Sequence, residues 1–375
     1  MSFAGGRFGD AASACLRIMR VIFFHLLLTV PGVAQDAPLS VTDIIQNVAA
    51  NEHLYENIDV VVVREQTIVG EKKHDLEGRP ATIGASATKV HFVAQSGKFR
   101  IDRTGETLLT DGFFNLDRTR LFDGKQSLLY EQRAFANRVE GATVDEEIVR
   151  PHMFLMRFMP YYVPLSTYLS GHEAMVAHPG GTWQPGYTLE IASDGQEMVG
   201  DLHCHIISVT TIVPGIGPFD VWKMWLAEDR NYIPVKNQGF TLRSSKTISQ
   251  LNAQVNGWQE LEPGIWMPME IGIVRFDEWK IRDDGIQVEQ WQSKTSIGNV
   301  SLNPKYSDDF FTELEIPAGV PIYTVSNKEI TKVENLPTIH KAPWNNLYVV
   351  NACILVVGFA VWLTFRLRSV AGKRA

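Results

Sequence analysis

Residues 219–240 read FDVWKMWLAEDRNYIPVKNQGF, and this stretch decides the fold. Two apolar runs, Phe219 to Ala227 and Ile233 to Phe240, flank a short polar break at Asp229 to Tyr232. Both are rich in the aromatic and β-branched residues that fit a pleated, half-buried surface. Strands joined by so short a break pair antiparallel. The same pattern extends outward on both sides. Upstream lie Tyr187 to Ala192 and Leu202 to Val213, punctuated by Asp194-Gly195 and by Pro214 to Pro218. Downstream lie Thr247 to Leu261, Ile265 to Phe276 and Ile286 to Ile297, the last two joined across Asp283-Asp284-Gly285. Trp258, Trp266, Trp279 and Trp291 recur along these strands, a row that more often lines a core or cavity wall than a cofactor site.

The first part of the body predicts one helix followed by more strands. Ser40 or Thr42 caps the helix, Asp43 suits its first turn, and Ile44, Ile45, Val48, Ala49 and Leu54 recur at helical spacing. Asp59 to Ile68, DVVVVREQTI, reads as a strand and is followed by a charged loop, Glu71 to Pro80. Lys89 to Ala94 and Phe99 to Asp102 flank a Ser96-Gly97 turn, and Asp123-Gly124 carries a hairpin signal with Ser127 to Tyr130 as its return strand. Between the two β-rich halves, Glu146 to Leu169 bunches methionines and aromatics around Pro160 and Pro164, as two helical pieces with a kink. Side chains of this kind repack around varied apolar partners. Ser307 to Phe311 reads as a helical turn, and Glu329 to Pro343 as a polar spacer.

The two ends predict export and anchoring. Residues 1–34 read as a signal peptide, with Arg17 and Arg20 before a short apolar run, small residues at Gly32 and Ala34, and Met19 as an alternative start. Leu347 to Phe365 is uncharged and close to the ~20 residues a helix needs to cross a bilayer. Trp344 and Tyr348 precede it, and Arg366, Arg368, Lys373 and Arg374 follow, so residues 366–375 are expected in the cytoplasm. The expectation is therefore a single-pass membrane protein: an exported, periplasmic domain at 35–328 with an insertion at 145–171, a linker at 329–346, and a transmembrane helix at 347–365.

Composition limits the chemistry. The net charge of −7 argues against nucleic acid, whose phosphates an acidic exterior repels. Of three cysteines, only Cys204 falls in the exported body, which leaves no disulfide and no thiol pair there.

The phrases Phe99-Arg100-Ile101-Asp102, Asp123-Gly124-Lys125, Trp225-Leu226-Ala227-Glu228-Asp229 and Tyr232-Ile233-Pro234-Val235-Lys236 stand behind a leading helix and strand. Together with Ile316-Pro317 near the end of the body, they resemble periplasmic lipoprotein carriers of the LolA and LolB type, with which the sensor RseB shares its architecture. The resemblance implies an α+β fold, a strongly curved antiparallel half-barrel whose apolar hollow takes acyl chains. It also implies helices as a lid, at Val41 to Leu54 and Ile148 to Leu169. Phe92, Phe99, Leu121 and Leu129 are then expected to line the hollow, with Met153, Phe154, Phe158, Met159 and Tyr162 contributed by the lid. Such carriers place a basic latch residue where this chain has Gln95; they are shorter and one of them travels freely, whereas this chain has an added mid-region and is expected to be tethered.

The expected function is thus a membrane-anchored binding protein for lipid or lipoprotein acyl chains, serving lipoprotein sorting or outer-membrane maintenance. The alternative is an RseB-like signalling or scaffold component that recognises an envelope protein partner. No enzyme is expected: no nucleophile elbow, phosphate loop or dinucleotide fingerprint occurs, and no cofactor is implied. The most chemical-looking stretch is Asp201-Leu202-His203-Cys204-His205. Strand alternation sends His203 and His205 to one face, where they would hold zinc only if a third ligand such as His172, His178 or Asp201 came near. A zinc enzyme built on this pair is the minor alternative.

Overall fold

A computed structural model gives the fold and describes residues 39–69, 84–109, 112–131, 135–140, 148–156, 163–171, 188–326 and 329–334. The residues 1–34 read as a leader, the apolar run Leu347 to Phe365 and the tail 366–375 all lie outside the described residues.

Among the described residues fifteen strands form one sheet. The first six are β1 (Ile58–Ile68), β2 (Gly84–Gln95), β3 (Lys98–Leu109), β4 (Gly112–Phe122), β5 (Gln126–Glu131) and β6 (Phe135–Glu140). They make one antiparallel meander. The next seven are β7 (Thr188–Val199), β8 (Leu202–Val213), β9 (Gly217–Ala227), β10 (Ile233–Thr241), β11 (Leu251–Glu262), β12 (Ile265–Phe276) and β13 (Glu289–Leu302). They make a second meander. The two are sewn together where β1 pairs antiparallel with β13. β14 (Ile322–Ser326) then lies parallel to β6, with β15 (Glu329–Glu334) outside it.

This arrangement corrects the expected fold class. Among the described residues the sheet runs open from β15 at one edge to β7 at the other, and helices are few and short, so it is not a half-barrel closed by a helical lid. Proline accounts for much of the missing helix. Pro151 opens a single 3₁₀ turn, Pro151–Met153, and Pro164 caps a five-residue helix, Leu165–Leu169. Without an N–H and with φ fixed, proline begins a helix far more readily than it continues one. Among the described residues the longest helix is α1 (Val41–Glu52), at 12 residues well short of the ~20 a bilayer requires. No helix among them is long and apolar enough to cross a membrane, which corrects the single-pass, domain-outside placement.

Register divides the sheet into two faces. Opposed residues in a ladder share a face, so Val60 with Phe92, Phe92 with Ile101, and Val62 with Ile297 point the same way. These side chains join Ile207, Met224, Ile271 and Ile273 in a core that spans both meanders. α1 lies on this face. Ser40 and Asp43 form a reciprocal cap, Ser40 Oγ accepting from the Asp43 N–H at 3.1 Å and the Asp43 carboxylate from the Ser40 N–H at 3.1 Å. Ile44 and Val48, one helical turn apart, are fully buried, each contributing about 1.5–3 kcal/mol through burial. The Leu165–Leu169 helix, α2, packs beside α1 through Leu165, Tyr168 and Leu169.

Three expectations shift in detail. Asp194-Gly195 is a bulge within β7 rather than a turn, with Gly195 at φ +102°. Asp283-Asp284-Gly285 closes a helix, α3 (Glu278–Asp284), instead of a hairpin; Asp277 caps its start and Gly285 at φ +68° ends it. Asp123-Gly124 does not itself form the two-residue loop: Gly124 is the first of two loop residues, at φ +94°, the position where a type II′ turn places glycine. A Cβ there would meet nothing within 4 Å, so the cost of substitution is conformational alone. Gly124→Val is expected to lose about 1–2 kcal/mol in urea unfolding, and an unchanged midpoint would refute the requirement for a positive φ.

Candidate functional site

α1, the sheet and the residues around the two prolines leave a cavity of about 450 Å³ on the first face. Its walls come from Ala49 on α1, Phe92 and Ala94 on β2, and Ile148, Val149 and Pro151. Its polar lining includes Glu52, Arg150, His152 and Ser166. Volumes of about 300–1,000 Å³ with mostly apolar walls and a few fixed polar groups suit small organic ligands.

The polar groups are committed to holding the walls in place. Glu52, at the end of α1, accepts from the Leu165 N–H at 2.5 Å and from the Ser166 N–H at 3.3 Å and Oγ at 2.5 Å. It thereby joins the end of α1 to the start of α2, while burial raises its carboxyl above the ordinary range despite these donors. His152 is fully buried and its Nε2 donates to the Asn231 carbonyl at 2.7 Å. Burial holds its imidazole neutral by lowering its pKa to about 4. Tyr55 meets His152 edge to face, donates to the Trp266 carbonyl and to Asn231 Oδ1, and is pushed upward by burial.

Of the residues expected to line a hollow, Phe92 and Phe99 are buried in the core on the first face, and Leu129 lies half-buried on that same face. Leu121 faces away from them, since its ladder partners are Arg100 and Leu128 on the second face, where Tyr130 and Ala136 pack with Val320. Met153 is buried in the first-face core with Phe154 packed against it. Phe158, Met159 and Tyr162 lie outside the described residues. Gln95, at the latch position, clamps Tyr306, accepting from its N–H at 2.8 Å and donating to its carbonyl at 3.1 Å. The tryptophans separate: Trp291 is buried, Trp266 lies under the Arg230 guanidinium, and Trp279 is exposed.

His203 and His205 share a face as alternation requires, while Cys204 packs on the other with Leu202, Ile206 and Trp225. The group that meets them is Glu228, which the sequence offered only within a family phrase and not as a ligand; Asp201 is exposed, and His172 and His178 lie outside the described residues. Cys204 pairs with Ala227 across β8 and β9, so the next residue along, Glu228, is delivered beside His203. His205 is buried and stacks on Tyr232, and burial draws its imidazole below the ordinary histidine range, opposed by Glu228.

No protein-family model matches this chain, and no curated protein matches it. Among solved structures, the chain is similar to a DUF1329 family protein from Desulfovibrio piger, at 11% identity over 72% of this chain and 97% of that one, with a TM-score of 0.37. It is also similar to a domain from Vibrio parahaemolyticus described as an outer membrane lipoprotein-sorting protein, at 9% identity over 72% and 95%, TM-score 0.36. A porin-like protein from Bacteroides uniformis gives 8% identity over 63% and 96%, TM-score 0.26.

Proposed function

We propose that this protein is a non-catalytic binding protein that receives an apolar chain, such as the acyl chain of a lipid or lipoprotein, in the cavity between α1 and β2. The observation that carries this reading is the cavity itself: about 450 Å³, apolar on its α1 and β2 walls, with Glu52 and His152 turned into structural hydrogen bonds. A charge aimed at a reacting centre would suggest chemistry. Here the lining acid joins α1 to α2 and the imidazole holds a backbone carbonyl. Each methylene moved from water into such a space gains about 0.8 kcal/mol, so an acyl chain needs no further anchor.

Lipid extraction of the purified full chain with mass spectrometry, and titration with a fluorescent fatty acid, test the proposal directly. Ala49→Trp should fill the cavity from its half-exposed α1 wall and weaken probe binding about tenfold or more, a loss of ~1.4 kcal/mol. A wild-type chain that carries no lipid and does not bind the probe, or an Ala49→Trp chain that binds it as well, would overturn the assignment.

A further inference from the structure

At one end of β8, His203 Nδ1, His205 Nε2 and a Glu228 carboxylate oxygen lie within 4.8 Å of one another. The carboxylate oxygen is 3.5 Å from each imidazole nitrogen. Three donors at about 2.1 Å from a tetrahedral zinc ion sit roughly 3.4 Å apart, so two of the three edges already have the required length. The third closes by rotation of His203, whose side chain is 44% exposed.

A second observation points the same way. His205 is 2% exposed, and its buried Nε2 makes no hydrogen bond of normal length. At 3.5 Å the Glu228 oxygen is beyond the ~2.7–3.2 Å range of an N–H···O bond. A buried ring nitrogen facing a carboxylate across such a gap is matched to a shared cation. The Gln196 amide nitrogen is 3.4 Å from the other ring nitrogen of His205, Nδ1, so a metal on Nε2 requires this carboxamide to flip. Its oxygen, turned toward that nitrogen, would accept the Nδ1 proton and leave the Nε2 lone pair for a metal.

We propose that His203, His205 and Glu228 form a site for a divalent transition metal, with zinc best suited to two imidazoles and a carboxylate. The fourth position faces solvent, since His203 and Glu228 are both about half exposed. Glu228 opens the turn that continues through Asn231 and Tyr232, and the Tyr232 ring stacks on His205 while its hydroxyl accepts from Asn47 of α1 at 3.0 Å. The ion would therefore staple β8 to the turn on which α1 is seated.

The full chain, stripped with a chelator, is titrated with zinc chloride by calorimetry and followed by histidine NMR. Cobalt(II) absorption supplies the coordination geometry. The expected result is one ion per chain, with the His203 and His205 resonances shifting and a raised melting temperature. His203→Asn and Glu228→Gln, both at solvent-reaching positions, should each weaken zinc binding about 100-fold with unchanged circular dichroism. Absence of stoichiometric binding by the wild type, unmoved histidine resonances, or unchanged affinity in either variant would overturn the proposal and leave an ordinary histidine–glutamate pair.

Discussion

Acidifying the full chain from pH 7 to about pH 4 is expected to remove about 3 kcal/mol of stability through His152 alone. Its imidazole is fully buried, and burial lowers its pKa from 6.5 to about 4. Between those values the unfolded chain binds a proton that the folded chain refuses, so the contribution is whole above pH 6.5 and is lost as pH falls through the folded value. A difference of about 2.5 units at 1.36 kcal/mol each gives the figure. Glu52 acts in the opposite sense. Its raised folded pKa contributes stability below pH 4.5 that is lost as pH rises through the raised value, so acidification partly restores what His152 removes. His152→Gln separates the two, because an amide keeps a donor for the Asn231 carbonyl but does not titrate. Urea unfolding of both chains at several pH values should show the wild-type advantage shrinking by about 3 kcal/mol toward pH 4. Parallel pH profiles would disprove the assignment.

Asn231→Ala is expected to cost a comparable amount, about 3 kcal/mol. The Asn231 side chain accepts from the Trp266 N–H at 2.8 Å and the Tyr55 hydroxyl at 3.2 Å, and donates to the Gly264 carbonyl at 2.9 Å and Asn51 Oδ1 at 3.1 Å. Alanine leaves these partly buried groups without that partner, at a net ~0.5–1.5 kcal/mol each where water does not replace it. The backbone adds to this. Asn231 sits at φ +56°, a left-handed conformation that asparagine tolerates and alanine resists by ~1 kcal/mol. Asn231→Gly should recover that conformational part only, so the order of stability is wild type, then glycine, then alanine. A loss below about 1 kcal/mol in Asn231→Ala would remove this residue from its place as the joint between α1, His152 and β12.

Strands were the most legible part of the sequence. Leu202 to Val213 matches β8 at both ends, and Ile233 to Phe240 falls one residue short of β10. Alternation and β-branched runs are local signals, and they also placed His203 and His205 on one face. Closure of a sheet is not a local property. The same alternating strands build a half-barrel or an open sheet, and nothing within a strand distinguishes them, so the open fifteen-stranded arrangement was missed. α3 was misread although Asp277 and Gly285 offered cap signals at its two ends, because the Asp-Gly pair also signals a hairpin. Glu228 was missed for a different reason. It reaches the histidines only through the register of β8 on β9, which no spacing within the sequence encodes. His152 was passed over because the neighbouring methionines and aromatics dominate the pattern around it, and Glu52 because burial of a polar side chain leaves no periodic trace.

The seam between β1 and β13 bears on how the chain is made. Each meander is built from strands that follow one another in sequence, whereas Val62 meets Ile297 only after more than two hundred further residues have been synthesised. At about 5–20 residues per second this leaves the Val60 to Val63 edge of the first meander unpaired for roughly 12–47 s. During that interval a run of four valines is an open template for strand addition by another chain. The chain therefore exposes this valine edge early in synthesis and makes its covering strand late.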